Sequence, residues 1–147
     1  MSVRQISVFL ENRPGKLSEM TALLAGKGID IRALSLAETK DFGIVRMIIA
    51  DAAEAESVLR EAGFIAKYTP VLAYAVPDEP GGLSRLLEGF DKAGVNIEYM
   101  YAFLGGKDAD HAYMIFRVAN TTAAETKPPP MNRYVVYLIM RSMLEVG

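Results

Sequence analysis

The sequence predicts an α+β protein built from two tandem βαββαβ units with antiparallel sheets. Three observations predict it. A loop that joins a strand-like run to a helix-like run, Glu11-Asn12-Arg13-Pro14-Gly15-Lys16-Leu17, returns as Pro77-Asp78-Glu79-Pro80-Gly81-Gly82-Leu83, with both the glycines and the leucines 66 residues apart. Around each copy, runs of period two alternate with runs of period 3.6 in the same order. A chain of 147 residues that is 51% hydrophobic can bury one sizeable core or two small ones.

Each element follows from local pattern. Ile6, Val8 and Leu10 alternate and mark a half-buried first strand over 3–10. In the loop, Pro14 presets φ and Gly15 allows a turn or a close approach. Leu17, Met20, Leu23 and Leu24 recur at helical spacing, and Gly28 is a stop signal. Residues 29–37 read as the second strand, with Ile29, Ile31, Leu34 and Leu36 as its apolar set. Lys40-Asp41-Phe42-Gly43 is a turn, and 44–50 a dense apolar strand. Asp51 can cap a helix whose inner face is Ala55, Val58, Leu59 and Ala62; Gly63 ends it and 64–68 is a short fourth strand.

The order then restarts. Residues 71–76 form a new first strand, and Leu83, Leu86, Leu87 and Phe90 the stripe of a new helix. Gly94-Val95-Asn96-Ile97 repeats Gly28-Ile29-Asp30-Ile31, and 98–103 is the next strand. Beyond the longer turn at Gly105-Gly106-Lys107-Asp108 the offset grows to 69 (Asp51 to Asn120), as a three-residue hairpin insertion would make it. The topology is the ferredoxin-like one, with domains at residues 1–69 and 70–147. The second unit is atypical at its C-terminus: Pro128-Pro129-Pro130 falls where the second helix should be, so any helix there stops by Thr126. Residues 134–139 suit a strand in place of the missing fourth one, against a rival buried helix reaching Leu144. A changed reading frame near Lys127 would also account for the departure.

Composition narrows the function. Net charge is −2 with no basic cluster, which argues against nucleic acid and anionic membrane as partners. The absence of cysteine removes thiol catalysis and cysteine zinc sites. The first residues lack a signal-peptide shape, and the longest apolar run, 134–140, is far short of a membrane span. A cytoplasmic location is expected, with no cofactor and no metal.

At Asn12 to Leu17, Asp78 to Leu83 and the two Gly-Ile-Asp-Ile-like segments, the sequence resembles a tandem pair of ACT domains, over roughly residues 3–122. It looks closest to small stand-alone proteins made of two such domains, where Glu98-Tyr99-Met100-Tyr101 is a familiar string. The resemblance implies a non-enzymatic regulatory module that binds a small amino acid at the interface between ACT units, allosterically coupled to a metabolic enzyme. A homodimer is expected, because such units leave edge strands that invite pairing. The alternative is a ligand-free scaffold whose sheets hold an assembly together.

The candidate ligand residues are Asn12, Arg13, Pro14, Gly15, Lys16, Leu17 and Asp30 in the first copy, with Asp78, Pro80, Gly81, Gly82, Leu83 and Asn96 in the second. An amino-acid carboxylate would take the N–H groups that open the Leu17 or Leu83 helix. Its ammonium needs an acceptor among Asn12, Asp78, Asp30 and Asn96, although Asp30 and Asn96 serve equally as turn residues. Lys16 adds charge to the first loop, whereas Gly82 should leave the second with the freer backbone. Tyr99, Tyr101 and Phe103 alternate on one strand and read as packing residues; His111 reads as a hairpin end rather than a metal ligand. No Ser-His-Asp set, phosphate loop or paired carboxylate site stands out, so no catalytic residue is assigned.

Overall fold

The structure is a computed structural model, and it describes residues 2–102 and 111–119. The expectations for the Gly105–Asp108 turn, the proline run and the 134–139 strand lie outside the described residues. The elements are β1 (Ser2–Glu11), α1 (Lys16–Gly26), β2 (Ile31–Glu38), β3 (Phe42–Ile49), α2 (Ala52–Glu61), β4 (Ile65–Pro77), α3 (Gly82–Lys92), β5 (Ile97–Ala102) and β6 (His111–Val118). Among the described residues, six antiparallel strands and three helices make this α+β, consistent with two tandem ferredoxin-like units. Two compact units divide the chain, one of them Arg4–Thr69 and the other the described residues from Pro70 onward together with Ser2 and Val3.

In the first unit the strand order is β2-β3-β1-β4. Ile6 faces Met47 and Val8 faces Val45 across the antiparallel β1–β3 pair. These side chains point to the helices and form a core with Met20 and Leu24 of α1 and Ala55 and Leu59 of α2. The alternation in β1 and the 3.6 period in the helices therefore meet on one face. Leu34 and Leu36 share that face in register, opposite Met47 and Val45, yet remain 37% and 54% exposed. The edge position of β2 is the cause: among the described strands it has a neighbour on one side only.

Three helix boundaries follow from backbone chemistry. Gly28, Gly63 and Gly94 all have positive φ just past a helix end, where a left-handed residue lets the last carbonyls be satisfied. The Ile29 N–H donates to the Leu24 carbonyl at 3.0 Å, and the Val95 N–H to that of Phe90 at 3.0 Å, so the two copies close their helices alike. The Asp51 carboxylate accepts from the Glu54 N–H at 3.0 Å and caps α2.

In the second unit the order is β4-β6-β5. Tyr74, Phe90 and Phe116 are its centre, with ring centroids 5.2 to 5.9 Å apart and edge-on or tilted contacts that suit the ring quadrupoles. Tyr99 and Tyr101 stack at 6.5 Å on β5, and Tyr101 is buried.

One element departs from the sequence reading. Separate strands at 64–68 and 71–76 were the expectation; β4 instead runs unbroken through Pro70. Proline breaks a ladder by lacking an N–H, but its φ is compatible with extended backbone and it pushes the residue before it toward the extended region. Pro70 is exposed, and its carbonyl still accepts from Arg117 Nη1 at 2.8 Å.

Candidate functional site

The two Pro-Gly loops open α1 and α3 with the same backbone device. Gly15 (φ 88°) and Gly81 (φ 83°) are the N-cap residues, both left-handed, and neither helix receives a side-chain cap. The Glu19 N–H reaches Gly15 at 2.9 Å and the Arg85 N–H reaches Gly81 at 3.0 Å. The Arg13 N–H donates to Glu11 and the Glu79 N–H to Pro77, both at 2.9 Å, so the two turns start alike. The Lys16 N–H donates to the Arg13 carbonyl at 3.4 Å and the Gly82 N–H to the Glu79 carbonyl at 3.1 Å, so the turn itself serves the first N–H of each helix, and no side chain caps the N–H groups that follow.

The side chains then make the two loops different. In the first, a Cβ on Gly15 would meet nothing within 4 Å. Arg13 pairs with Glu11 at 2.7 Å and Lys16 with Glu19 at 3.3 Å, each pair along one side of the loop. In the second, a Cβ on Gly82 would collide with the Pro77 carbonyl oxygen and stand 3.3 Å from its carbon. Gly82 is a requirement of close backbone packing, which reverses the expectation of a freer backbone there. Arg85 pairs with Glu79 across the loop, its guanidinium 3.1 Å from where a Gly81 Cβ would stand. The sequence carried this signal: Arg13 and Glu19 of the first copy become Glu79 and Arg85 in the second, a charge reversal at matched positions.

Beside the first loop lies an open cleft of about 240 Å³. Phe9, Phe42, Phe64 and Ile65 supply its apolar wall, and Lys16 and Glu19 its polar one. Lys16 is the more enclosed of that pair, its side chain 22% exposed against 58% for Glu19. Phe9, Phe42 and Ile65 are 38%, 57% and 68% exposed, unusual for large apolar side chains gathered at one place. Of the sequence candidates only Lys16 lines this cleft; the apolar wall was missed, because its residues come from β1, β3 and the start of β4.

The remaining candidates fall in three places. Asn12, Arg13 and Pro14 are exposed, Leu17 packs against the first core, and the Asn12 N–H is tied to the Asp41 carbonyl at 3.1 Å. Asp78, Pro80 and Leu83 are exposed around the second loop. Asp30 and Asn96 follow the far ends of α1 and α3; eleven residues of helix, roughly 16 Å at 1.5 Å per residue, separate each from the Pro-Gly loop of its own unit. Asp30 takes a 3.0 Å ion pair from Arg32 Nη1, and Arg32 is 92% buried by its 8% exposure, a partner the sequence reading did not name. The Asn96 carbonyl accepts from the Ala119 N–H at 3.3 Å.

Burial, then the Glu56 carboxylate, raises the pKa of Tyr68, whose hydroxyl donates to the Ala52 carbonyl at 3.0 Å in the first unit. Among the described residues no cluster of three or more His, Asp or Glu could hold a metal ion, and no helix is long and apolar enough to cross a membrane.

The profile of the ACT domain pair family matches residues 1–129. The chain belongs to that family. A crystal structure of a protein from Bacteroides thetaiotaomicron superimposes on this ACT pair with a TM-score of 0.77 at 35% identity, covering 86% of this chain and 89% of that one. The ligand-free regulatory subunit of aspartate kinase from Thermus thermophilus gives 0.59 at 15% identity, covering 95% and 91%. The same subunit from Thermus flavus gives 0.54 at 17%, with the same coverages. At those identities the kinase subunits speak for the fold alone. No curated protein sequence matches the chain significantly.

Proposed function

We propose that this ACT pair is a non-enzymatic regulatory module that binds a small amino acid and passes the binding on to a metabolic enzyme. One observation carries the reading: a helix N-terminus without a side-chain cap opens beside a cleft of about 240 Å³ lined by five large apolar residues, the Lys16–Glu19 ion pair and Glu11. Pockets for drug-sized ligands run to roughly 300–1,000 Å³, so this volume suits a single amino acid. Aspartate kinase regulatory subunits share the fold, and regulation of such an enzyme is consistent with it. Binding to the folded form stabilises it by mass action, and any difference in affinity between two states shifts the balance between them.

A thermal-shift screen against the twenty amino acids, followed by calorimetry on any hit, tests the reading. At least one should raise the melting temperature. If none binds at millimolar concentration, where ΔG is only about −4 kcal/mol, the reading fails. A second reading, assembly through sheet pairing, is favoured by the edge strand β2 with its exposed Leu34 and Leu36, and would then take its place.

A further inference from the structure

The chain passes between its two compact units twice, and both passages are strands. Ser2 and Val3 at the start of β1 go with the second unit, and β1 continues into the first from Arg4. β4 carries the chain back, with Thr69 in the first unit and Pro70 in the second. β1 and β4 are also neighbours in the sheet. Domains are ordinarily joined by exposed, pliant linkers crossed by few contacts. Here the join is a two-stranded ribbon, whose stiffness depends on its ladder being intact.

The weak point of that ribbon is Pro70. It has no N–H, so β4 lacks a ladder donor at the residue where the second unit resumes. Arg117 of β6 compensates on the acceptor side. Its Nη1 donates to the Pro70 carbonyl at 2.8 Å, and its Nε lies 3.4 Å from Glu98 Oε2 on β5. The Arg117 side chain is 24% exposed, so the guanidinium is partly withdrawn from water while it holds two strands at once. Glu98 reaches it because β5 bulges there: Ile97 faces Val118 and Tyr99 faces Arg117, which leaves Glu98 as the extra residue. The first unit has the same bulge, with Arg32 between Ile31 and Ala33. There the facing strand supplies the buried Ile48, and the bulge charge pairs with Asp30 instead. Of the two bulges, an arginine faces only the one whose partner strand reaches Pro70.

We propose that Arg117, oriented by Glu98, is a positioning residue that couples the two units: it clamps β4 at Pro70, so that a disturbance that opens one unit is felt by the other. Such coupling is reciprocal, and a ligand or partner that stabilises either unit thereby stabilises both. Releasing the clamp leaves each unit with its own core and separates their openings. The clamp acts whatever ligand the chain takes.

Amide hydrogen exchange on the full chain tests the clamp. Val45→Ala trims a fully buried side chain in the first core and should speed exchange at Met20 and Leu24 of α1 at least tenfold. With Arg117 in place, Leu86 and Phe90 of α3 should speed up at least fivefold as well. In an Arg117→Met background, adding Val45→Ala should change Leu86 and Phe90 less than twofold, while Met20 and Leu24 respond as before. The reference is Arg117→Met alone, so any loss of stability in the second unit cancels. Glu98→Gln keeps the bond to Pro70 and should give a response between the two. Arg117→Lys keeps the charge without the fork that spans Pro70 and Glu98, and it carries the same comparison should Arg117→Met fail to fold. Leu86 and Phe90 that ignore Val45→Ala in the unaltered chain would overturn the coupling. An equal response with and without Arg117 would overturn its role as the clamp.

Discussion

Glycine at the Pro-Gly loops does two unrelated jobs, and the residue scale separates them. Gly15 and Gly81 are needed for φ: an L side chain in the left-handed region costs about 1–2 kcal/mol. Gly82 has ordinary helical φ and is needed for space. At such φ, replacing glycine by alanine ordinarily stabilises a protein by ~0.4–1 kcal/mol through the unfolded chain. Here the added methyl must push the Pro77 carbonyl away, and overpacking of this kind costs about 1–3 kcal/mol. Gly82→Ala should therefore lower the urea midpoint. A raised midpoint would mean that the second loop has room after all, and would remove the main support for its being closed.

The three helices of the described chain start in two ways. α2 has a carboxylate on its first-turn N–H, whereas α1 and α3 begin on bare glycine. Removing an Asp cap typically costs ~1 kcal/mol, within about 0.5–2. Asp51→Ala should destabilise the fold by that amount in chemical denaturation, without changing ligand affinity more than the loss of folded protein explains. An unchanged midpoint would show that water caps α2 as well as Asp51 does. α1 and α3 have no such residue to lose, and uncapped N–H groups at a surface loop are what an anion site needs. The element scale also explains β4: Pro70 is compatible with extended backbone and leaves its carbonyl for Arg117, so one strand continues where two separate strands were expected.

For the whole molecule the matter is association. Among the described strands β2 ends the order of its unit, with Leu36 54% exposed. Long apolar edges pair unless blocked by charge, proline or a bulge. The β2–β3 register does shift between Ile31 and Ala33, but from Ala33 to Glu38 it is regular. We propose a homodimer, and static light scattering should report twice the 16.1 kDa chain mass. A monomer mass at high concentration would exclude it, and would leave Leu36 as a surface residue of no structural purpose.

Much of the fold was legible because it is local. The alternation of Ile6, Val8 and Leu10, the stripe of Leu86 and Phe90, the Asp51 cap and the glycines at 28, 63 and 94 each act within a few residues, through backbone geometry and period. The 66-residue repeat made the two Pro-Gly loops visible for the same reason. What tertiary structure decided is which side chains meet. Phe9, Phe42 and Ile65 are far apart in sequence and read singly as ordinary apolar residues; only the pairing of β1 with β3 and the return of β4 bring them to one cleft beside Lys16. The exposure of Leu34 and Leu36 was equally hidden, since a strand's alternation says which face it shows and not whether it lies at an edge. The difference between the loops was on the page as glycine against lysine, but its sign was not. Whether a glycine means freedom or crowding depends on the atom that stands where its Cβ would be, and for Gly82 that atom is the carbonyl oxygen of Pro77.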